Sequence, residues 1–271
     1  MSDIADDDLE TEALRLADEA RKPTRRVRPR LARALADGQD MEVQTPNGPV
    51  MAWKVGYGPA TLMVHGWNDD NALWGPLIDA CERLGRAAVV LDLPGHGWSQ
   101  AENCSVDSAG EAVLAVAKAL GPVDSIVAHS FGCPTTIYAL ANGLEATRAV
   151  LIGSPVPRTK PIDRFNGDWE KEMIDQGEDP AVVARAAEIL RERLADPDAA
   201  FGNIDKSIAG MTAKALILHS LDDDACPYGN AEAMADLWPG SELVLTDELG
   251  HRLIAQDPAI VQRVLDFVEG L

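Results

Sequence analysis

Ser125-Ile126-Val127-Ala128-His129-Ser130-Phe131-Gly132 is the stretch on which the reading of the chain turns. An apolar run enters it, and a helix-forming run, Cys133 to Asn142, leaves it. A strand that breaks into a sharp turn and then a helix presents the turn residue at the top of a sheet. When that residue is Ser, its hydroxyl is held clear of the backbone. Small residues two before and two after it answer a steric need, because strand and helix backbones pass close there. Ala128 and Gly132 hold those places, with Ala128 where the usual pattern has glycine.

Working outward, the apolar runs Thr61–Val64 and Ala87–Leu91 read as buried strands, and Ala149–Ser154, Ala215–His219 and Glu242–Leu245 as further strands of the sheet. The segments Leu73–Leu84, Val106–Leu120, Glu232–Leu237 and Pro258–Val268 read as helices between and after them. Met41–Thr45 and Val50–Val55, around Pro46-Asn47-Gly48, form a hairpin. The alternation predicts an α/β fold, a mostly parallel central sheet flanked by helices. Residues 1–40 form an N-terminal extension: a helix carrying Leu9, Ala13, Leu16, Ala17 and Ala20, then a basic linker from Arg21 to Arg30. That linker is expected to dock on the chain's own acidic body. Residues 41–271 form the main domain. At about 155–210 the alternation is interrupted by prolines and by the amphipathic run Pro180–Leu194, which predicts a helical insertion.

The net charge of −20 disfavours nucleic acid and anionic membrane surfaces as partners. No apolar run reaches the length needed to cross a bilayer. The acidic start, Met1 to Asp8, lacks a basic-then-apolar leader. The four cysteines have no CxxC spacing, so reduced thiols in a cytoplasmic protein are expected, and no metal site.

In such sheets ligands bind beyond the carboxyl ends of the strands. His65-Gly66-Trp67, Ser130, Asp222 to Asp224 and His251 all fall at those ends. A serine hydroxyl needs a base to become a nucleophile, and the base needs an acid to fix its tautomer. On this scaffold the chain order is serine, acid, histidine. Only His219 and His251 follow Ser130; His251, in a glycine-preceded loop between the last strand and helix, is the better base. Asp222, Asp223 and Asp224 all qualify as the acid, the other two being solvated. His65 and His96 read as loop supports. His129 points away from the nucleophile's side, His219 is a packing residue, and Cys133 fills space in the elbow helix. Trp74, Trp98 and Trp169 read as packing residues.

With these motifs the chain resembles the α/β-hydrolase superfamily, in its branch of esterases with a helical cap. The resemblance rests on His65-Gly66-Trp67, Asp92-Leu93-Pro94-Gly95-His96-Gly97-Trp98-Ser99, the Ser130 elbow, Asp223-Asp224-Ala225-Cys226-Pro227 and Gly250-His251. It implies that the insertion is a cap. It favours Asp223, four before a proline and with the small apolar Cys226 ahead of that proline, as the acid. It also implies an oxyanion hole from the backbone N–H groups of Trp67 and Phe131. Phe131 suits this role, because N–H groups at a helix start point outward. The implied activity is hydrolysis of a small or medium carboxylic ester through an acyl-enzyme, with no metal or organic cofactor. The same residues could act on a carbon–carbon, lactone or amide bond. A hydrolase-fold binding protein without chemistry is the reading of another class. The implied partner is a small-molecule acyl substrate, and the oligomeric state is open.

Overall fold

The computed structural model describes residues 6–20, 22–27, 38–102, 104–157, 167–195 and 203–271. The leader up to Ala5, and Arg21 and Arg28 to Arg30 of the basic stretch, lie outside these residues. The strands are β1 (Gln39–Val43), β2 (Val50–Val55), β3 (Ala60–Val64), β4 (Ala87–Leu91), β5 (Ser125–His129), β6 (Arg148–Ile152), β7 (Lys214–Ser220) and β8 (Glu242–Thr246). The described α-helices are α1 (Asp6–Glu19), α2 (Gly75–Arg83), α3 (Val106–Leu120), α4 (Gly132–Ala141), α5 (Gly167–Asp175), α6 (Pro180–Ala195), α7 (Ile204–Ala209), α8 (Gly229–Leu237), α9 (Gly250–Leu253) and α10 (Pro258–Glu269). Contacts divide the chain into two compact units, residues 1–22 with 160–202 and residues 23–159 with 203–271.

The larger unit holds an eight-stranded sheet in the order β1-β2-β4-β3-β5-β6-β7-β8. The β1–β2 hairpin joins β4 in antiparallel pairing, and β4, β3 and β5 to β8 are mutually parallel. Strands β3, β4 and β5 are buried at every residue, which explains their unbroken apolar sequence. Met63, Val90, Val127, Val150 and Leu216 pack on one side with Leu77 and Ile78 of α2 and Ile260, Val264 and Leu265 of α10. The alternate residues Leu62, Ile126, Leu151 and Ile217 are equally buried, so the other face is covered too. Helix α3 begins with a capping box between Ser105 and Ser108. Helix α10 begins where the Asp257 carboxylate accepts from the N–H groups of Ala259 and Ile260.

Strand β3 lies between β4 and β5. The chain leaves β3 towards β4 on one side, and leaves β5 towards β6 on the other. Their loops therefore part, and a crevice opens at the carboxyl ends of β3 and β5. The sequence places Trp67 after one strand and Ser130 after the other.

The smaller unit has its own apolar core. Ala13, Leu16 and Ala17 of α1 pack on Val182, Val183, Ala186 and Leu190 of α6, with Leu9, Trp169 and Met173 at the margin. Ion pairs Arg185–Glu10 and Arg193–Asp18, both at 2.8 Å, flank this contact. Helix α5, around Trp169, and, in the larger unit, the short α7 are elements for which the sequence reading had no assignment, and the short α9 stands where a loop carrying His251 was read. Among the described residues no helix is long and apolar enough to cross a membrane. Trp74 is fully buried, as expected, but Trp98 is 61% exposed. The packing role read for Trp98 is therefore wrong. Its backbone N–H donates to Asp92 Oδ2 at 2.8 Å, and this tie leaves the indole turned outward.

Candidate active site

Ser130 has a positive φ of 53°, a conformation that an L-residue adopts only when its surroundings impose it. Its N–H donates to the Ile152 carbonyl at 2.9 Å, and its own carbonyl accepts from Cys133 N at 2.8 Å. A Cβ at Gly132 would overlap the carbonyl oxygen of Val64, and one at Gly66 would lie 2.8 Å from Ser130 Cβ. Glycine at both places lets β3, the elbow and α4 close together. Cys133 is buried, and its Sγ contacts the carbonyls of Ala128 and Ile152 at 3.6 and 3.5 Å. Burial pushes this thiol well up, so Cys133 fills space in the elbow as read.

Ser130 Oγ lies 2.9 Å from His251 Nε2, and His251 Nδ1 lies 2.8 Å from Asp223 Oδ2. The carboxylate can only accept, so Nδ1 carries the proton, and Nε2 is free to accept from the serine hydroxyl. Asp223 Oδ1 accepts from the N–H groups of Ala225 and Cys226, at 2.9 and 2.8 Å. The Asp223 side chain is fully buried, while that of His251 is 21% exposed. Burial works to raise the Asp223 pKa. Hydrogen bonds from His219 and His251, the His251 charge and the Cys226 amide outweigh it and hold the carboxyl well below the usual range. Gly153, at φ 60°, backs the pair; a Cβ there would sit 3.4 Å from His251 Nδ1.

The N–H groups of Trp67 and Phe131 make no hydrogen bond among the described residues. Their rings meet edge to face at 5.1 Å. Two imidazoles stitch the loop after β3 to the loop after β4. His65 donates through Nδ1 to the Gly66 carbonyl at 2.8 Å and accepts the Leu93 N–H at 3.0 Å. His96 donates through Nδ1 to the Pro94 carbonyl at 2.8 Å and accepts the Asn68 N–H at 3.1 Å. Asp92 takes the N–H of Asn71 at 2.9 Å, so the loop bearing the Trp67 amide is fixed from below. From outside, Thr24 N–H donates to Asn68 Oδ1 at 2.7 Å, which seats part of the basic stretch here.

The sequence model of the Alpha/beta hydrolase family matches residues 61–263. The chain belongs to the alpha/beta hydrolase family. It is 22% identical to the pimeloyl-[acyl-carrier protein] methyl ester esterase of Nitrosomonas europaea, a match covering 72% of this chain and 90% of that protein. Among solved structures it resembles an esterase from Exiguobacterium antarcticum, at a TM-score of 0.69 and 18% identity over 85% of this chain and all of that one. It also resembles the carboxylesterase CesB from Bacillus subtilis, at 0.66 and 18% over 96% of this chain and 99% of that one.

In this member of the family, four contacts at the site went unread in the sequence. Asp222 is exposed but not merely solvated: it accepts from the Ser220 hydroxyl and, at 3.0 Å, from Gly250 N–H, tying the His251 loop to β7. His129 Nε2 donates to the carbonyl of His251 at 2.7 Å, and the two rings lie 4.9 Å apart. Arg252 grips Asp69 through both terminal guanidinium nitrogens, at 2.6 and 3.0 Å, joining α9, which carries His251, to the Trp67 loop. His219 Nε2 lies 3.2 Å from Asp223 Oδ2. All five histidines of this hydrolase thus stand at the carboxyl ends of its strands. Among the described residues no group of three or more His, Cys, Asp or Glu is placed to hold a metal ion.

Proposed function

We propose that the chain is a serine hydrolase that cleaves a small or medium carboxylic ester through an acyl-enzyme. The observation that carries this reading is the continuous hydrogen-bonded line from Ser130 Oγ through His251 to the buried Asp223 carboxylate, at 2.9 and 2.8 Å. Membership of the hydrolase family and the esterase names of its relatives support the ester as substrate.

Ser130 attacks the ester carbonyl while its proton passes to His251 Nε2. Asp223 keeps Nδ1 protonated and stabilises the imidazolium. The oxygen turned anionic is received by the N–H groups of Trp67 and Phe131, each worth roughly 10²–10³ in rate. His251 returns the proton to the leaving alcohol. Water, deprotonated by the same nitrogen, then releases the acid and restores Ser130. The Trp67–Phe131 ring pair supplies an apolar wall beside the nucleophile.

The test is mass spectrometry after treatment with a fluorophosphonate. One adduct per chain is expected on Ser130, lost in Ser130→Ala and reduced by roughly 10⁴ in rate in His251→Ala. A folded wild type that takes no label would replace this reading with that of a binding protein. A panel of esters, lactones, amides and diketones at equal concentration then identifies the bond, with the esters expected to turn over fastest.

A further inference from the structure

The Asp223 carboxylate faces two imidazoles, not one. His251 Nδ1 stands 2.8 Å from Oδ2, and His219 Nε2 stands 3.2 Å from the same atom. His219 Nε2 also lies 2.9 Å from the carbonyl oxygen of Cys226. Both neighbours are acceptors, so Nε2 must carry the proton. The His219 side chain is fully buried, and its Nδ1 has no hydrogen-bond partner among the described residues. His219 therefore donates through Nε2, towards the turn that follows β7.

Its backbone is as constrained as its ring. In β7, Leu218 pairs with Ile152 of β6, and His219 pairs with Leu245 of β8. Asp223, by contrast, sits in the turn that follows. From the rigid strand, the imidazole reaches two points of that turn, the Cys226 carbonyl and the acid itself. A histidine that served packing alone would need only the carbonyl.

We infer that His219 is a positioning residue: its Nε2–H, bonded to the Cys226 carbonyl and lying 3.2 Å from Asp223 Oδ2, holds the turn that carries the acid where His251 requires it. The inference rests on the proposed roles of Ser130, His251 and Asp223. By sharing the carboxylate's charge, His219 also limits how strongly Asp223 pulls on the His251 proton. The titratable or charged groups around the pair are Cys226 beside Asp223, Ser130 and His129 beside His251, and the Asp69–Arg252 ion pair at the His251 loop. Asp222 and Asp224 are exposed to solvent. Without His219, the carboxylate binds the imidazolium more tightly.

The experiment follows the second-order rate constant for fluorophosphonate inactivation against pH in the wild type, His219→Phe and His219→Gln. In His219→Phe the acid limb is expected about half a pH unit higher, with the plateau about tenfold lower. In His219→Gln the side-chain amide N–H can reach the same acceptors, so both values return towards the wild type. An acid limb that stays in place in His219→Phe, or a Gln variant no better than Phe, overturns the inference. The wild type gives a second readout, in two-bond proton–nitrogen spectra of its imidazoles. The Nε2–H tautomer is expected at His219, and the Nδ1–H tautomer would overturn the role whatever the variants do. A wild type that takes no fluorophosphonate overturns the catalytic reading itself and this inference with it.

Discussion

At the scale of single residues, the site depends on side chains that are missing as much as on those present. The Gly132 Cα faces the carbonyl oxygen of Val64 so closely that no Cβ fits, and a carbonyl cannot rotate aside as a side chain can. Gly132→Ala is expected to lower the free energy of unfolding by about 3 kcal/mol and to slow labelling of Ser130, as urea denaturation and adduct formation will show. His96 and His129 have pKa values pushed down to about 3 and about 4, by burial first and then by His65 and His251 respectively. Unfolded, each binds a proton near pH 6.5. The native state then binds fewer protons than the unfolded state, so stability falls as pH drops from about 6.5 towards 4. Melting temperatures should decline across that window, and less steeply in His129→Gln; equal slopes would contradict the assignment. That Ser130 would meet His251 was legible in the sequence because chemistry and chain order left only two histidines to choose from. Asp223 was not separable from its neighbours without the family resemblance. The contacts of His129 and His219 were hidden for a physical reason. Strand alternation tells on which side a side chain emerges, but not which distant loop folds back to meet it.

At the scale of elements, periodicity served where an element buries a long stripe. Helix α3 was read to its ends, and α1, α6 and α10 to within a few residues, because each repeats small or branched apolar residues along one face. Helix α5 was missed, since only Trp169 and Met173 anchor it among the charges of Glu170, Lys171 and Glu172. Helix α7 is six residues long, too short for a period to register. Helices α1 and α6 are far apart in sequence yet share one apolar core, in which Leu16 and Leu190 are 3% and 1% exposed. Deleting residues 1–22 strips that cover from Val182, Val183, Ala186 and Leu190. The truncated chain is expected to bind a hydrophobic dye and to melt about 5 °C lower or more. A truncated chain with unchanged melting and no dye binding would show that α1 adds nothing to the stability of α6.

At the scale of the whole molecule, the order of the sheet was less legible than its existence. Buried parallel strands and right-handed crossovers narrow the topologies but do not say on which side of β3 the chain sets β4; that order is seen only in the folded sheet. The net charge of −20 is a whole-chain property as well. Like charges repel most in the compact state, and salt screens them beyond a few ångströms. Adding about 1 M sodium chloride should therefore raise the melting temperature by several degrees, and a salt-insensitive transition would show that local pairing already neutralises the field. The gathering of all five imidazoles at one edge of the sheet adds a further property. Imidazole is the side chain whose ordinary titration falls between pH 5 and 8, and this protein has none elsewhere. Side-chain charge that ordinarily changes over that range is therefore gathered where the strands end, beside Ser130, rather than spread over the surface.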